Sequence, residues 1–192
     1  MQASADTIKV AVGKSGLTFD PNSITAKVGD VVEFNFYAKN HSVVGGDFLN
    51  PCKPAEGSFF SGFFPTEANA SQVFRLTVNS TDPIVFYCSQ NTGSHCKNGM
   101  AGVINPTTLR SLSAYQTLAK ALVGNATSPT GGVAGGVIAA QSGSGSTGTT
   151  GGSNTTNTAP PAATSTKPNG AVSMGAPLFG LVAAGFFAVL LI

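Results

Sequence analysis

The short run from Cys88 to Met100 constrains the fold of this 192-residue chain more than any other segment. Cys88 is followed after six residues by the adjacent pair His95 and Cys96, and Met100 comes after three more. His41 is the other of the two histidines in the chain and lies well upstream. Two imidazoles, a thiolate and a weak thioether are ligands that suit copper in both of its common oxidation states. We therefore expect a fold that brings His41 and this run to one metal ion.

The front of the chain predicts an all-β domain. Several segments alternate apolar and polar residues with the period of two that marks half-buried strands, as in 8–12, 32–36 and 74–78. In the run 84–88, the sulfur of Cys88 shares a face with Ile84 and Phe86, which places it at the end of a buried strand. About 120 residues are enough for one sandwich domain that buries roughly 65% of its unfolded surface.

Beyond these strands the composition changes. Residues 107–122 lie between Pro106 and Gly124 and carry an apolar stripe at spacings of three and four, which predicts one helix that closes an end of the sandwich. The stripe consists of Leu109, Leu112, Tyr115, Leu118, Ala119 and Leu122. Residues 123–168 are rich in Gly, Ser, Thr and Pro, carry Lys167 as their only charge, and predict a disordered, O-glycosylated stalk. Acceptor sequences for N-glycosylation occur at Asn69, Asn79, Asn125 and Asn154. Another occurs at Asn40, where a glycan would crowd His41.

The C-terminal residues 169–192 predict a signal for attachment of a GPI anchor. Small residues and a short spacer precede fifteen apolar residues that end the chain without a basic flank, and Asn169 is the preferred attachment residue. The alternative is a membrane helix that begins near Ala171. The first ten residues contain no secretory leader, yet the acceptor sequences and the stalk indicate the secretory pathway. We therefore expect that a leader is missing; a cytosolic, tail-anchored protein is the alternative.

The run FYCSQNTGSHCKNGMAGVINP (residues 86–106) resembles the ligand loop of the cupredoxins, and within them of the phytocyanin-like branch. The resemblance extends over residues 7–122 and is strongest to fungal, GPI-anchored, serine-rich cupredoxin-like proteins. It implies a Greek-key β-sandwich for residues 1–122. It also implies a disulfide between Cys52 and Cys96. One copper ion would then have four ligands: His41, Cys88, His95 and Met100.

Two departures from the family pattern bear on this site. Six residues separate Cys88 from His95, where plant relatives usually have four, so the site could be of the blue or of a perturbed class. Ser42 follows His41 where many members carry Asn. The hydrogen bond that orients and tunes the thiolate must therefore be made by another group or be absent.

Other interpretations of the same residues stay open at this stage. A disulfide between Cys88 and Cys96, with Cys52 free, would remove the metal thiolate. Met100 also fits a plain core position at the start of a strand. A cluster of phenylalanines fits either a lid on the core or an apolar patch for a partner near the metal: Phe59, Phe60, Phe63 and Phe64.

These features favour an extracellular, cell-surface copper protein that transfers electrons to a redox partner that the sequence does not identify. The alternative is a structural or adhesive cell-wall protein in which copper is incidental or absent. An enzyme is not expected, because a copper oxidase needs further histidine clusters and an oxidative polysaccharide-cleaving enzyme needs an N-terminal histidine. Ten basic against eight acidic residues form no basic stripe, so no nucleic acid partner is expected.

Overall fold

Two five-stranded sheets face each other in the structure, a computed structural model that describes residues 4–141. In spatial order, the first sheet contains β10 (Val137–Ala140), β7 (Gln72–Thr77), β4 (Val31–Phe36), β1 (Thr7–Val12) and β2 (Phe19–Asp20). The second contains β3 (Ser23–Ile24), β9 (Ala101–Ile104), β8 (Ile84–Tyr87), β5 (Lys39–Gly45) and β6 (Phe60–Thr66). The expected all-β, two-sheet fold is confirmed.

The core between the sheets follows from the alternation of the strands. Val32, Phe34 and Phe36 point inward from β4, and each is almost completely buried. Phe34 meets Phe86 of β8 edge to face, with ring centroids 5.2 Å apart. Cys88, one residue beyond β8, belongs to the same buried cluster. The sequence-based placement of this sulfur at the end of a buried strand is therefore correct.

The single helix among the described residues, α1 (Leu112–Lys120), is shorter than the expected span 107–122. Thr107 forms a turn in which its N–H donates to the carbonyl of Arg110 and its hydroxyl accepts from the N–H of Arg110. Ser111 then caps the helix, because its hydroxyl accepts from the N–H of Ala114. The chain therefore turns after Pro106 before the helix begins.

The buried face of α1 confirms part of the expected apolar stripe, and Leu112 and Leu122 of that stripe pack against the same cluster. Tyr115 and Ala119 are the helical residues buried against the sandwich. Leu109 and Leu118 face outward, with 91% and 48% of their surfaces exposed. Among residues 4–141, no helix is both long enough and apolar enough to cross a membrane.

Residues 123–141 are part of the folded unit, which corrects the expected start of a disordered stalk at residue 123. We call residues 124–141 the strap. The N–H of Thr127 donates to the carbonyl of Cys52, Ala134 pairs with Phe60, and β10 pairs antiparallel with β7. The strap is polar in composition, but its backbone is hydrogen-bonded by the edge of a sheet, which composition does not reveal. Asn154, Asn169 and the remainder of residues 142–192 lie outside the described residues.

Candidate metal centre

Three of the predicted ligands converge at one end of the sandwich. His41 lies in β5, Cys88 follows β8, and His95 lies in the loop between β8 and β9. The sulfur of Cys88 is 3.3 Å from Nδ1 of His95 and 4.0 Å from Nδ1 of His41. One ligand atom from each residue lies within 4.8 Å of the other two, and all three residues are buried. This arrangement can place three donor atoms on one ion.

Met100 closes the loop that carries His95. It is fully buried in the same apolar cluster as Cys88. Its N–H donates to the carbonyl of His95 at 3.0 Å, and its carbonyl accepts from the N–H of Cys88 at 3.1 Å. The main chain at Met100 therefore fixes the positions of His95 and Cys88 relative to each other, at the point where the loop enters β9.

The six residues between Cys88 and His95 are accommodated in hydrogen-bonded turns. The N–H of Ser94 donates to the carbonyl of Asn91, and the N–H of Asn98 donates to the carbonyl of Ser94. The side chain of Asn98 also donates to the carbonyl of Gly93 at 2.8 Å. The extra length relative to plant relatives therefore forms turns and does not keep His95 away from the sulfur.

The disulfide joins Cys52 to Cys96, so the alternative pairing through Cys88 does not occur. Cys88 is a free, buried thiol. Because Cys96 is adjacent to His95, the bond ties the ligand loop to the segment after β5. Tyr115 of α1 supports that segment, since its hydroxyl oxygen accepts from the N–H of Cys52 at 2.8 Å.

The electrostatics of the copper-free site favour neutral side chains. Burial raises the pKa of the Cys88 thiol. Burial, and secondarily repulsion from His41, lower the pKa of His95 to about 4. Burial also lowers the pKa of His41. Both imidazoles are therefore uncharged at neutral pH, so each has one nitrogen lone pair available for a metal, and a bound cation would favour the thiolate.

The ring of His41 is oriented by two contacts with the backbone. Its Nε2 lies 3.3 Å from the carbonyl oxygen of Ala38. If Nε2 carries the proton, it donates to that oxygen and leaves the lone pair of Nδ1 directed toward Cys88. Gly13 packs on the ring: a Cβ atom there would lie 2.2 Å from Nε2, and φ is +82°. Glycine is required at this close approach.

Ser42 supplies the hydrogen bond that was in doubt because it replaces Asn. Its backbone N–H donates to the sulfur of Cys88 at 3.4 Å. Its hydroxyl lies farther from the sulfur, at 3.9 Å, and accepts from the N–H of Ser89 at 3.0 Å. The backbone thus makes the contact without the usual side chain, which is why residue type alone did not predict it.

A cavity of about 230 Å³ opens above the two imidazoles. His41 and His95 line it together with Gly16 and Leu17. Among the described residues that line it, Lys39 is the only one with a formal charge. His95 is the more exposed of the two imidazole residues that border this cavity, with 8% of its surface exposed against 3% for His41.

Most of the phenylalanine cluster belongs to the core. Phe59 and Phe60 are buried, and the ring of Phe64 stacks on Phe36 with centroids 3.9 Å apart. Phe63 is the exception, with 44% of its surface exposed. The core-lid interpretation therefore holds for three of the four, and one exposed ring does not form the alternative apolar patch.

The acceptor asparagines within the described residues differ in exposure. Asn69, Asn79 and Asn125 are exposed, so their modification stays a prediction that the fold permits. Asn40 is only partly exposed, lies in β5 and lines the cavity next to His41. This agrees with the expectation that a glycan at Asn40 would crowd the site.

Relatives of the chain include two proteins of Arthroderma benhamiae, and no family model matches the chain. A probable GPI-anchored cupredoxin of Arthroderma benhamiae is 40% identical over 129 residues, which is 66% of this chain and 66% of that protein. An extracellular serine-rich protein of the same organism is 39% identical over 140 residues, which is 70% of this chain and 54% of that protein. The chain therefore spans just under two thirds of the length of the first of these curated relatives and about half of the length of the second.

Similar solved structures include an auracyanin from Roseiflexus castenholzii, with 20% identity and a TM-score of 0.38. The match covers 53% of this chain and 97% of that one. An oxidised plastocyanin from Dryopteris crassirhizoma has 25% identity and a TM-score of 0.36, and covers 50% of this chain and 96% of that one. With 40% identity to one fungal cupredoxin, and a two-sheet sandwich that gathers two imidazoles and a thiol at one end, the chain belongs to the cupredoxins.

Proposed function

We propose that this protein binds one copper ion and transfers electrons at the outer cell surface. The observation that carries the proposal is the convergence of the Cys88 sulfur with Nδ1 of His41 and Nδ1 of His95 in a buried site. We assign these three residues as ligands, with Met100 as the weak fourth ligand. Copper supplies one-electron redox chemistry when it is bound.

The donor set fits copper and does not fit the metals that prefer oxygen ligands. Calcium and magnesium prefer oxygen ligands, and none of the four assigned residues supplies one. A thiolate and a thioether are soft ligands that suit the cuprous state, while imidazole serves either state. Cys88, His41 and His95 thus form a set that can hold the ion before and after it gains an electron.

The protein scaffold limits how far the ligands can move between the two states. The disulfide fixes Cys96 next to His95, and backbone hydrogen bonds join Met100 to His95 and to Cys88. Gln116 of α1 donates its side-chain N–H to the carbonyl of Gly99 at 2.8 Å, which fixes the end of the loop. A site that is held by bonds outside the ligands needs little reorganisation when its charge changes, and this favours fast electron transfer.

We assign His95 as the route by which electrons leave or enter. It borders the cavity of about 230 Å³ and is more exposed than His41, which also lines the cavity, whereas Cys88 and Met100 are fully enclosed. The cavity wall carries little charge, so a partner can displace water from it without separating ion pairs. The partner itself is unidentified; a cell-wall component is the alternative to a redox protein.

The cell-surface location rests on independent features. The printed names of the two fungal relatives describe a GPI-anchored and an extracellular protein. A disulfide is a bond that persists in oxidising compartments. Attachment of a GPI anchor at Asn169 and glycosylation at Asn69, Asn79, Asn125 and Asn154 remain part of this proposal.

The test uses the full chain, purified in mild detergent and titrated with cupric ion. We expect one equivalent to bind and to give an intense visible thiolate-to-copper band, with matching electron paramagnetic resonance. Cys88→Ser should abolish the band while the fold and disulfide persist. Thr92→Ala, which changes a cavity residue that is not a ligand, should retain it. A folded chain that binds no stoichiometric copper would support the structural cell-wall alternative.

A further inference from the structure

Three serine hydroxyls form a chain that runs from the strap to the thiol of Cys88. The hydroxyl of Ser128 donates to the hydroxyl oxygen of Ser89 at 2.7 Å. The oxygens of Ser89 and Ser42 are 2.9 Å apart, and the hydroxyl of Ser42 lies 3.9 Å from the sulfur. Ser42 and Ser89 are buried, and Ser128 is partly buried. The chain therefore connects the strap with the candidate metal centre.

The number of hydroxyl protons fixes the direction of these hydrogen bonds whenever the sulfur is a thiolate. A serine hydroxyl has one proton to donate. If Ser42 donates its proton to the sulfur, the bond between Ser42 and Ser89 must use the proton of Ser89. The oxygen of Ser89 then accepts the proton of Ser128. All three hydroxyls point toward the sulfur, and such aligned hydrogen bonds polarise and strengthen one another.

The backbone keeps the chain of hydroxyls in place. The N–H of Ser89 donates to the hydroxyl oxygen of Ser42 at 3.0 Å. The strap is fixed just before Ser128 by two hydrogen bonds of Thr127. The carbonyl of Thr127 accepts from the hydroxyl of Tyr87 at 2.6 Å, and the N–H of Thr127 donates to the carbonyl of Cys52. The side chain of Asn91 donates to the carbonyl of Ala126 at 3.0 Å. Ser128 is therefore anchored on the loop that carries the ligands.

We propose that Ser128 is a positioning residue, which acts through Ser89 and Ser42 on the charge density of the Cys88 sulfur. The inference rests on the proposed function, because it concerns a thiolate that binds copper. Hydrogen bonding around the cysteine sulfur tunes the reduction potential of such sites. Donors aimed at the thiolate withdraw electron density from it, so the reduced state is stabilised and the potential rises. Ser128 lies near the start of the strap, and it links that segment to the candidate metal centre.

The test compares Ser128→Thr with Ser128→Val in the copper-loaded full chain. The two new side chains have nearly the same shape, but only the first keeps a hydroxyl, so their difference isolates the hydrogen bond from packing. We expect Ser128→Thr to match the wild type. Ser128→Val should lower the reduction potential and move the thiolate-to-copper band to longer wavelength. Ser42→Ala should shift both quantities further in the same direction, because it removes the link next to the sulfur.

Two further measurements separate the possible outcomes. Thr130→Val removes a hydroxyl from an exposed position on the strap and should leave the potential and the band unchanged. In the copper-free chain, the amide hydrogen of Ser89 should exchange faster in Ser42→Ala, because it loses its acceptor. Equal reduction potentials and equal bands in Ser128→Thr and Ser128→Val would overturn the role of Ser128 and leave the proposed function standing. A wild type without the thiolate-to-copper band would overturn the proposed function, and the role of Ser128 with it.

Discussion

Removal of the disulfide should weaken both the fold and the ligand loop. In the double variant Cys52→Ala and Cys96→Ala, the unfolded chain gains the freedom of a loop whose ends are separated by 44 residues. The loop-closure relation gives about 4 kcal/mol for a loop of this length, as an upper figure. Native proteins typically have a free energy of unfolding of about 5–15 kcal/mol, so this loss would be a large fraction of the total stability. Because both cysteines are completely buried, alanine is chosen to avoid burying an unpaired hydroxyl.

The assay is denaturation of the copper-free full chain with guanidinium, followed by circular dichroism. We expect the midpoint to fall and the dependence on denaturant to steepen, because the unfolded chain without the bond exposes more surface. The wild type treated with a reductant is the matched control and should behave like the double variant. A loss below about 1 kcal/mol would refute the loop-closure argument. Copper affinity should also fall, because Cys96 no longer holds His95.

Three other perturbations test the site separately. Gly13→Ala should displace the ring of His41 and weaken copper binding measured by competition, because the new Cβ would lie 2.2 Å from Nε2; unchanged affinity would contradict the close packing. The copper-free chain should melt at lower temperature as the pH falls from about 6.5 toward 4. Burial lowers the pKa of His95 and of His41 in the folded state, so the unfolded state takes up protons first and the stability present above pH 6.5 is lost. His95→Gln should reduce that pH dependence, and an equal dependence would contradict it. Met100→Leu should keep the copper band and raise the reduction potential measured by voltammetry, because an apolar group replaces a weak donor; an unchanged potential would mean that Met100 is only a core residue.

The convergence of His41, Cys88 and His95 was predictable because the chain uses these residue types so sparingly. With two histidines and three cysteines in 192 residues, their order along the chain left few ways to build a site. The burial of Cys88 followed from strand alternation, which depends only on the period of two. The pairing of Cys52 with Cys96 came from the resemblance, and the structure then excluded the pairing through Cys88.

The parts that sequence reasoning missed depend on backbone atoms and on distant partners. The apolar stripe suggested a helix over 107–122, but the turn at Thr107 and the cap at Ser111 delay its start. The strap looked like stalk because its composition is polar, although its order comes from the free edge of β7. The carbonyl of Ala38 and the N–H of Ser42 contact the ligands, and neither group depends on the residue type.

X-ray absorption at the copper edge of the loaded full chain tests the central claim most directly. The account predicts one short bond to sulfur and two to imidazole nitrogen, from Cys88, His41 and His95. In Cys88→Ser the sulfur bond should vanish while bonds to nitrogen remain. A wild-type spectrum that shows nitrogen and oxygen neighbours without a short sulfur would contradict it.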